Sequence, residues 1–239
     1  MPLRPARSND LPIISKVYAA VFYDDDMMGA LMHPYRQSHP GDYQKYWENK
    51  VREWYWDYSH QLIVTYMLKE TDEKKEEVVT GVGDWIRYGK GWERYWGVWG
   101  KWDPRNLIRK LILLRHYISS FLHPNRAADP EMHKKVSSVF SYTKHLWSGR
   151  RDTGWYLNFL AVDPRYQSQG HGRLLASWGV ERADEEKVAA SVISGTDKDR
   201  FYQRCGFGTK GGHVSDGEGN PLKDLTEGGS VLFHDPKFE

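Results

Sequence analysis

The chain has 239 residues, with 34 Lys and Arg against 32 Asp and Glu, so its formal net charge is +2. This near balance gives no reason to expect a nucleic acid partner, and the length favours a single domain over residues 1–239. Cys205 is the only cysteine, which excludes an intramolecular disulfide and favours a reducing, cytoplasmic setting. No stretch of about 18 residues is uniformly apolar, so we expect no integral membrane segment.

The first 88 residues carry strand, helix and hairpin signals. Asp10, or Asn9 beside it, is a capping residue before Pro12, and proline is tolerated in the first turn of a helix. QLIVTYML and EVVTGVGDWI are rich in apolar and β-branched residues, and a charged connection of hairpin length joins them. The predicted elements are a strand at 3–6, a helix from about 10 to 23, a helix within 41–58, and hairpin strands at 61–68 and 77–86.

The segment 89–151 has a different pattern, which begins with the Trp-dense run GWERYWGVWGKW at 91–102. This run favours core or lid packing over a platform for stacking nucleic acid bases, because the net charge is so small. Asp103 and Asp129 each precede a proline, a pairing that caps a helix. They predict helices near 104–122 and 130–147.

The first of these helices is amphipathic. Basic residues interrupt NLIRKLILLRHYISSFLH, 106–123, in a helical rhythm. We expect the remaining apolar stripe to face the core, whereas contact with a membrane surface, the alternative, requires the stripe to be exposed. The stripe consists of Ile108, Leu111, Leu114, Ile118 and Phe121.

Strand alternation returns in WYLNFLAV at 155–162. It predicts a first face made of Tyr156, Asn158, Leu160 and Val162. It predicts a second, wholly apolar face made of Trp155, Leu157, Phe159 and Ala161. Downstream we expect a helix at 171–185, a strand at 188–193, a helix within 197–206, and strands within 206–214 and 228–234.

Between the strand at 155–162 and the following helix lies VDPRYQSQGHGR, which contains Gly170 and Gly172. Such a loop brings free backbone N–H groups and the positive end of the helix dipole to one point, which suits a phosphate. Glycine there permits positive φ and close approach of an anion. The loop lacks the Lys and Ser/Thr of a Walker loop, and a dinucleotide fingerprint would need glycine at Leu175.

The residues from Gln167 to Gly172 match a third phosphate loop, Gln/Arg-x-x-Gly-x-Gly/Ala. Together with FLAVDPRYQSQGHGRLLASW around them and FYQRCGF at 201–207, they resemble the GNAT superfamily of N-acetyltransferases. LRPARSNDL resembles the opening of that fold. The resemblance implies an α/β (α+β type) GNAT fold, a mixed twisted central sheet with helices on both faces. The segment 89–151 is then a helical insertion between two central strands.

The resemblance also implies acetyl-CoA as co-substrate, with direct attack of an amine on the thioester and no acyl-enzyme. A strand N–H near Leu160 or Val162 would stabilise the developing oxyanion. Tyr202 matches the family's general acid, since a phenol of pKa about 10 keeps its proton at neutral pH; packing alone is the alternative role. The implied acetyl-CoA contacts are Leu160, Ala161, Val162, Gln167, Ser168, Gln169, Gly170, His171, Gly172 and Arg173.

The acceptor amine needs a group that takes its proton, because an alkylamine with a pKa near 10.4 is almost wholly charged at pH 7. Protein-acetylating members of the family often carry Glu at the position of Tyr156. Asp84 on the preceding strand is the nearest carboxylate candidate. A purely structural pairing of Asp84, with a water chain carrying the proton, is the alternative.

The insertion and the aromatic region 33–58 favour a pocket for a small-molecule amine with apolar bulk. Protein or peptide N-acetylation and a non-catalytic acyl-CoA-binding module are the alternatives. We expect Cys205 to pack rather than react, and we expect no metal site, since the histidines lack metal-like spacing. The oligomeric state, and N- as against O-acetylation, stay open at this point.

Overall fold

The structure is a computed structural model that describes residues 2–70, 75–91, 102–103, 105–223 and 225–236. Most of the Trp-dense run, and Pro104 after it, lie outside the described residues. Within them, seven strands form one sheet in the order β1-β2-β3-β4-β5-β7-β6. The strands are β1 Leu3–Pro5, β2 His60–Glu70, β3 Lys75–Tyr88, β4 Gly154–Val162, β5 Ala189–Ser194, β6 Thr209–His213 and β7 Ser230–His234.

The predicted mixed sheet with helices on both faces is confirmed. β4 and β5 pair in parallel, and the other neighbouring strands pair antiparallel. The described α-helices are α1 Leu11–Val21, α2 Pro40–Tyr55, α3 Arg105–Leu122, α4 Pro130–Ser138, α5 Phe140–Thr143, α6 His171–Glu186 and α7 Asp199–Arg204. α1 and α2 pack with one face of the sheet, and α6 packs with the other.

The single helix predicted at 130–147 is wrong, because the chain forms α4, α5 and then a 3₁₀ turn at Lys144–Trp147. Asp129 does cap α4, accepting a hydrogen bond from the Glu131 N–H at 2.9 Å. The hydroxyls of Ser137 and Ser138 donate to carbonyls three residues earlier. Serine hydroxyls bonded in this way compete with the helical hydrogen-bond pattern, and the α-helix is interrupted directly after them at Val139.

The expectation that the apolar stripe of α3 faces the core is also wrong, because four of its five residues are exposed and Ile108 is partly exposed. Polar groups hold the helix to the rest of the chain. His116 bonds the Glu53 carboxylate of α2 at 2.8 Å, and Arg109 pairs with Asp57 at 2.6 Å. These contacts turn the opposite, apolar side of α3 toward solvent.

β4 contains a bulge that changes which of its residues share a face. Asp84 of β3 lies opposite Phe159, whereas Trp85 lies opposite Leu157, so Asn158 is the extra residue. Trp155 and Leu157 therefore pack on the α6 side, and Phe159 and Ala161 pack with the α1 and α2 side. The prediction of one wholly apolar face is wrong for this reason.

The α6 side of the core is built around Trp85, which is fully buried and donates its indole N–H to the Leu175 carbonyl at 3.0 Å. Gly179 of α6 lies against the same ring. A Cβ at Gly179 would stand 2.3 Å from Trp85 Cε2, closer than real atoms approach. Glycine at this position lets helix and indole pack together.

We predict that Gly179→Ala lowers the free energy of unfolding by about 1–3 kcal/mol, because the ring or the helix must shift. Gly41→Ala is the matched control, since Gly41 also lies in a helix but a Cβ there meets no atom within 4 Å. Gly41→Ala should leave stability unchanged or raise it by up to about 1 kcal/mol. Denaturant unfolding measures both, and equal stabilities of the two variants would contradict the packing described.

Candidate active site

The two parallel strands at the centre of the sheet separate part of the way along. Gly154 to Leu157 of β4 pair with Ala189 to Val192 of β5. Beyond that point β4 stays paired with β3 as far as Val162, while β5 stays paired with β7 as far as Ser194. A cleft therefore opens between residues 158–162 of β4 and the end of β5, and one backbone edge of β4 has no strand partner there.

Exposure along β4 agrees with this cleft. β4 is the middle strand of seven, yet Tyr156, Asn158, Phe159 and Leu160 are only partly buried. Residues of a central strand are normally covered on both faces when helices flank the sheet. The cleft is the reason these four side chains keep contact with solvent.

The predicted phosphate loop lies at the end of β4 where the cleft is widest. Gly170 has φ +91° and precedes the first residue of α6. Among the described residues, the N–H groups of Gly170, His171, Gly172 and Arg173 find no acceptor. Four free N–H groups and the helix dipole at one point are the features that an anion-binding site requires.

The rest of the loop is held by side chains. Gln167 donates from Nε2 to the Val162 carbonyl at 3.1 Å, and Ser168 has φ +61°. His171 is buried and shares a 3.0 Å hydrogen bond between Nδ1 and the Thr80 hydroxyl of β3. His171 thus contributes its ring to anchor the loop, whereas the sequence motif accounts only for its backbone. Gln169 and Arg173 are exposed.

Gly172 lies where the loop, the strand and α7 meet. A Cβ there would stand 3.3 Å from Phe201 Cζ and 3.6 Å from Leu160 Cδ2. The absence of a side chain lets the first turn of α6 approach both. Gly172 therefore keeps the free N–H groups close to the cleft.

Tyr202 of α7 packs with the α6 side of the core, next to Phe201 and Phe207. Its hydroxyl forms no hydrogen bond with another described residue. Burial, and then the nearby Cys205 and Tyr156, raise the pKa of Tyr202 above its ordinary value. The phenol keeps its proton and is free to donate a hydrogen bond.

Cys205 follows α7 and is buried. Burial raises the pKa of its thiol, an effect that Arg173 and Arg204 partly oppose. The thiol is therefore protonated at neutral pH, which suits the packing role expected for it.

Asp84 is fully buried and does not face the cleft directly. Both of its oxygens lie 2.9 Å from Nδ1 of His60, and Oδ2 also accepts a 2.7 Å hydrogen bond from the Asn158 side chain. Asp84 thus joins His60 of β2 to the bulge at which β4 leaves β5. His60 Nε2 forms no hydrogen bond with another described residue, and the His60 side chain keeps 11 % of its surface exposed.

The charge of Asp84 acts on the groups around it. Burial alone would lower the pKa of His60, but the Asp84 carboxylate outweighs burial and raises that pKa above the ordinary value. Burial and the same carboxylate raise the pKa of Tyr156, which stands where protein-acetylating family members carry Glu. Tyr156 therefore stays neutral, and His60 is the group whose proton affinity the Asp84 carboxylate raises.

Aromatic rings form a wall beside this pair. Trp54 stacks on the His60 ring at 5.9 Å between centroids and on Phe159 at 5.2 Å. Phe22 meets Phe159 edge to face at 5.2 Å. Trp54, Phe22 and Phe159 are all only partly buried, so the wall presents apolar surface next to the cleft.

The insertion contributes to the same face of the sheet. Trp147 meets the Tyr156 ring edge to face at 6.3 Å and donates its indole N–H to the Ser191 hydroxyl of β5 at 3.0 Å. Upstream, Asp129 bonds the Met32 carbonyl, which joins the start of α4 to the segment before α2. The described part of the insertion therefore covers the side of β4 and β5 opposite α6.

The structure brings the loop residues 167–173, strand residues 160–162 and Tyr202 to one cleft, and it places Asp84 behind His60 and Asn158. His60 and Asn158 were not predicted from the sequence as site residues. The register of the β2–β3 hairpin could have identified His60, because it sets His60 opposite Ile86, two residues from Asp84 on the same face.

Among the described residues, no group of three or more His, Cys, Asp or Glu is arranged to hold a metal ion. No described helix is long and apolar enough to cross a bilayer.

Comparison with known proteins adds independent findings. Residues 138–207 match the Acetyltransferase (GNAT) family. A crystal structure described as histone acetyltransferase HPA2 and related acetyltransferase, from Corynebacterium glutamicum, aligns over 99 % of this chain and 97 % of its own, with 17 % identity and a TM-score of 0.59. A second structure, described as an acetyltransferase, aligns over 99 % and 100 %, with 13 % identity and a TM-score of 0.51. At such identities the likeness shows a shared fold. No curated protein sequence matches the chain.

We predict that Asp84→Asn lowers the pKa of His60 below its ordinary value, because burial then acts without the opposing carboxylate. NMR titration of the His60 ring protons measures this pKa. Asp57→Asn is the control, since Asp57 acts on His60 only through its charge and should lower the pKa less. An unchanged His60 pKa in Asp84→Asn would contradict the pairing.

Proposed function

We propose that the chain transfers the acetyl group of acetyl-CoA directly to the amine of a small molecule, since residues 138–207 match the Acetyltransferase (GNAT) family. The observation that carries the proposal is the separation of β4 from β5 beside four free backbone N–H groups. Acetyl-CoA has a long pantetheine arm, which needs a cleft, and a pyrophosphate, which needs an anion site. The separated strands and the free N–H groups would supply the two side by side.

The loop and the free edge of β4 would hold different parts of acetyl-CoA. The free N–H groups of residues 170–173 would hold the pyrophosphate. The unpaired backbone edge of Leu160, Ala161 and Val162 would pair with the amides of the pantetheine, as a strand pairs with its neighbour. Gln167, Ser168 and Gln169 would shape the loop around the phosphates.

The reaction forms a bond between the amine nitrogen and the acetyl carbon and breaks the bond between that carbon and sulfur. A free N–H on the cleft edge of β4, near Leu160 or Val162, would stabilise the oxyanion that develops. Tyr202 keeps its proton, so its hydroxyl would donate a hydrogen bond to the departing sulfur. The conjugate acid of the departing thiolate has a pKa near 8.5 by the cysteine reference. The hydrogen bond from Tyr202 would therefore be enough to let the thiolate leave.

The amine's proton requires an acceptor on the other side of the cleft. Asp84 is buried and bonded at both oxygens, so we assign this role to His60, with Asp84 as the residue that positions the ring and fixes its tautomer. Nδ1 faces Asp84, which leaves Nε2 for the proton. The Asp84 carboxylate raises the pKa of His60, and a stronger base takes the proton of the attacking amine more readily.

The aromatic wall of Phe22, Trp54 and Phe159 lies on the same side as His60. An amine carrying an apolar or aromatic group would pack its body on this wall while its nitrogen approaches the cleft. The insertion covers this side through Trp147. These features support a small-molecule acceptor over an extended peptide.

Acetyl-CoA should raise the melting temperature of the wild type, and Gly170→Asp should abolish this rise, because a carboxylate would enter the anion site. Gly219→Asp is the matched control: Gly219 also has positive φ, at +73°, and no atom lies within 4 Å of its Cβ position. Both variants place a side chain at a residue with positive φ, so the loss of protection should separate them. Equal protection of both variants would refute the loop assignment.

A screen of primary amines with acetyl-CoA, read by release of free thiol, tests the transfer itself. Tyr202→Phe should lower kcat by about 10²–10⁴ without loss of acetyl-CoA protection. In the wild type, kcat/KM for the amine should rise with pH through the pKa of His60, and His60→Gln should remove that rise. Acetyl-CoA binding without thiol release from any amine would favour a binding module, and release with peptides alone would favour a protein acetyltransferase.

A further inference from the structure

The outward face of α3 carries an apolar surface that the fold leaves uncovered. Seven large side chains on this face each expose between 49 and 81 % of their area. They are Leu107, Leu111, Leu114, Tyr117, Ile118, Phe121 and Leu122, and we refer to them as the α3 face. Single exposed hydrophobic residues are common on proteins, but a contiguous set of this size marks a contact surface.

The spacing of these residues shows that they form one surface. Leu107, Leu111, Leu114, Ile118 and Phe121 follow one another at intervals of four and three residues, which places them along one side of a helix. The opposite side contacts Glu53 of α2 through His116, and it contacts Asp57, just after α2, through Arg109. The α3 face therefore points away from the sheet and from the cleft.

The charge of the helix is one-sided. The sequence of α3, RNLIRKLILLRHYISSFL, contains four basic residues and no Asp or Glu. Arg109 is used in the ion pair with Asp57. Lys110 and Arg115 are exposed next to the α3 face, and neither forms an ion pair with a described residue.

We propose that the α3 face binds the surface of a bilayer containing anionic lipid. A helix with this pattern lies in the plane of the interface, with its apolar side about 5–10 Å into the boundary between headgroups and acyl chains. Lys110 and Arg115 would then meet lipid phosphates, and Tyr117 would lie at headgroup depth. The proposal concerns attachment of the protein and is independent of the acetyl transfer.

A second copy of the chain fits this surface less well. If two α3 faces pair about a two-fold axis, each copy brings Lys110 and Arg115 to the edge of the interface, and neither helix offers a carboxylate to balance these charges. Like charges facing one another destabilise an interface. Anionic headgroups remove that repulsion, which is why the charge favours lipid as the occupant.

Sedimentation of the full chain with vesicles tests the proposal. Vesicles of phosphatidylcholine and phosphatidylglycerol in equal parts should bind the protein, and binding should weaken at high salt and with phosphatidylcholine alone. Leu114→Glu should weaken binding roughly tenfold or more, the factor that corresponds to losing one buried leucine. Lys110→Glu should reduce the difference between the two vesicle types.

Leu68→Glu is the matched control, because Leu68 on β2 is exposed to a similar degree, 57 % against 54 % for Leu114, but lies away from α3. It should bind vesicles like the wild type, and circular dichroism should show that all variants keep the fold. Failure of the wild type to bind anionic vesicles would overturn the proposal, as would equal binding by Leu114→Glu. A dimer in light scattering that Leu114→Glu dissociates would overturn it in favour of a second copy.

Discussion

The side chain of Asn158 donates to the Asp84 carboxylate, and this 2.7 Å hydrogen bond ties the bulge of β4 to the middle of β3. A bulge bends its strand and increases the local twist. Before Asn158, β4 pairs with β5, and after it the two strands diverge. The cleft, its free backbone edge and the half-exposed middle of the central strand all depend on this one irregularity.

The cleft beside the bulge has different side chains on its two sides. Tyr202 approaches from the side of α6 and α7, while Asp84 and His60 lie on the side of α1 and α2. In the proposed reaction, the donor to the departing sulfur and the acceptor of the amine's proton would therefore stand on opposite sides of the acetyl group. The same arrangement keeps Asp84 buried, so that its charge raises the pKa of His60 instead of being screened by water.

The sequence predicts those features that are set by neighbouring residues. Gly170 and Gly172 mark the loop because its shape depends on local backbone freedom, and Asp129 marks the start of α4 because a cap is local too. The partnership of His60 with Asp84 was missed because it arises from pairing between two strands. The faces of β4 were predicted wrongly because a bulge at Asn158 leaves no compositional signal, and one extra residue reverses every side chain beyond it.

α3 also shows that contacts between distant residues limit what the sequence predicts. Its amphipathic stripe is evident in the sequence, but the direction in which the stripe points depends on Glu53 of α2 and on Asp57 just after α2, which bind the polar side of α3. Hydrophobic periodicity identifies the helix and says nothing of which face finds a partner. The polar attachment explains why so much apolar surface stays outside.

Hydrogen–deuterium exchange, with and without acetyl-CoA, tests the central claim most directly. The N–H groups of residues 170–173 have no acceptor among the described residues and should exchange quickly in the free protein. The account predicts that acetyl-CoA slows exchange in two segments, 170–173 and the cleft edge at 158–162, and leaves α3 unchanged. Absence of protection in both segments, or protection confined to a different part of the chain, would contradict it.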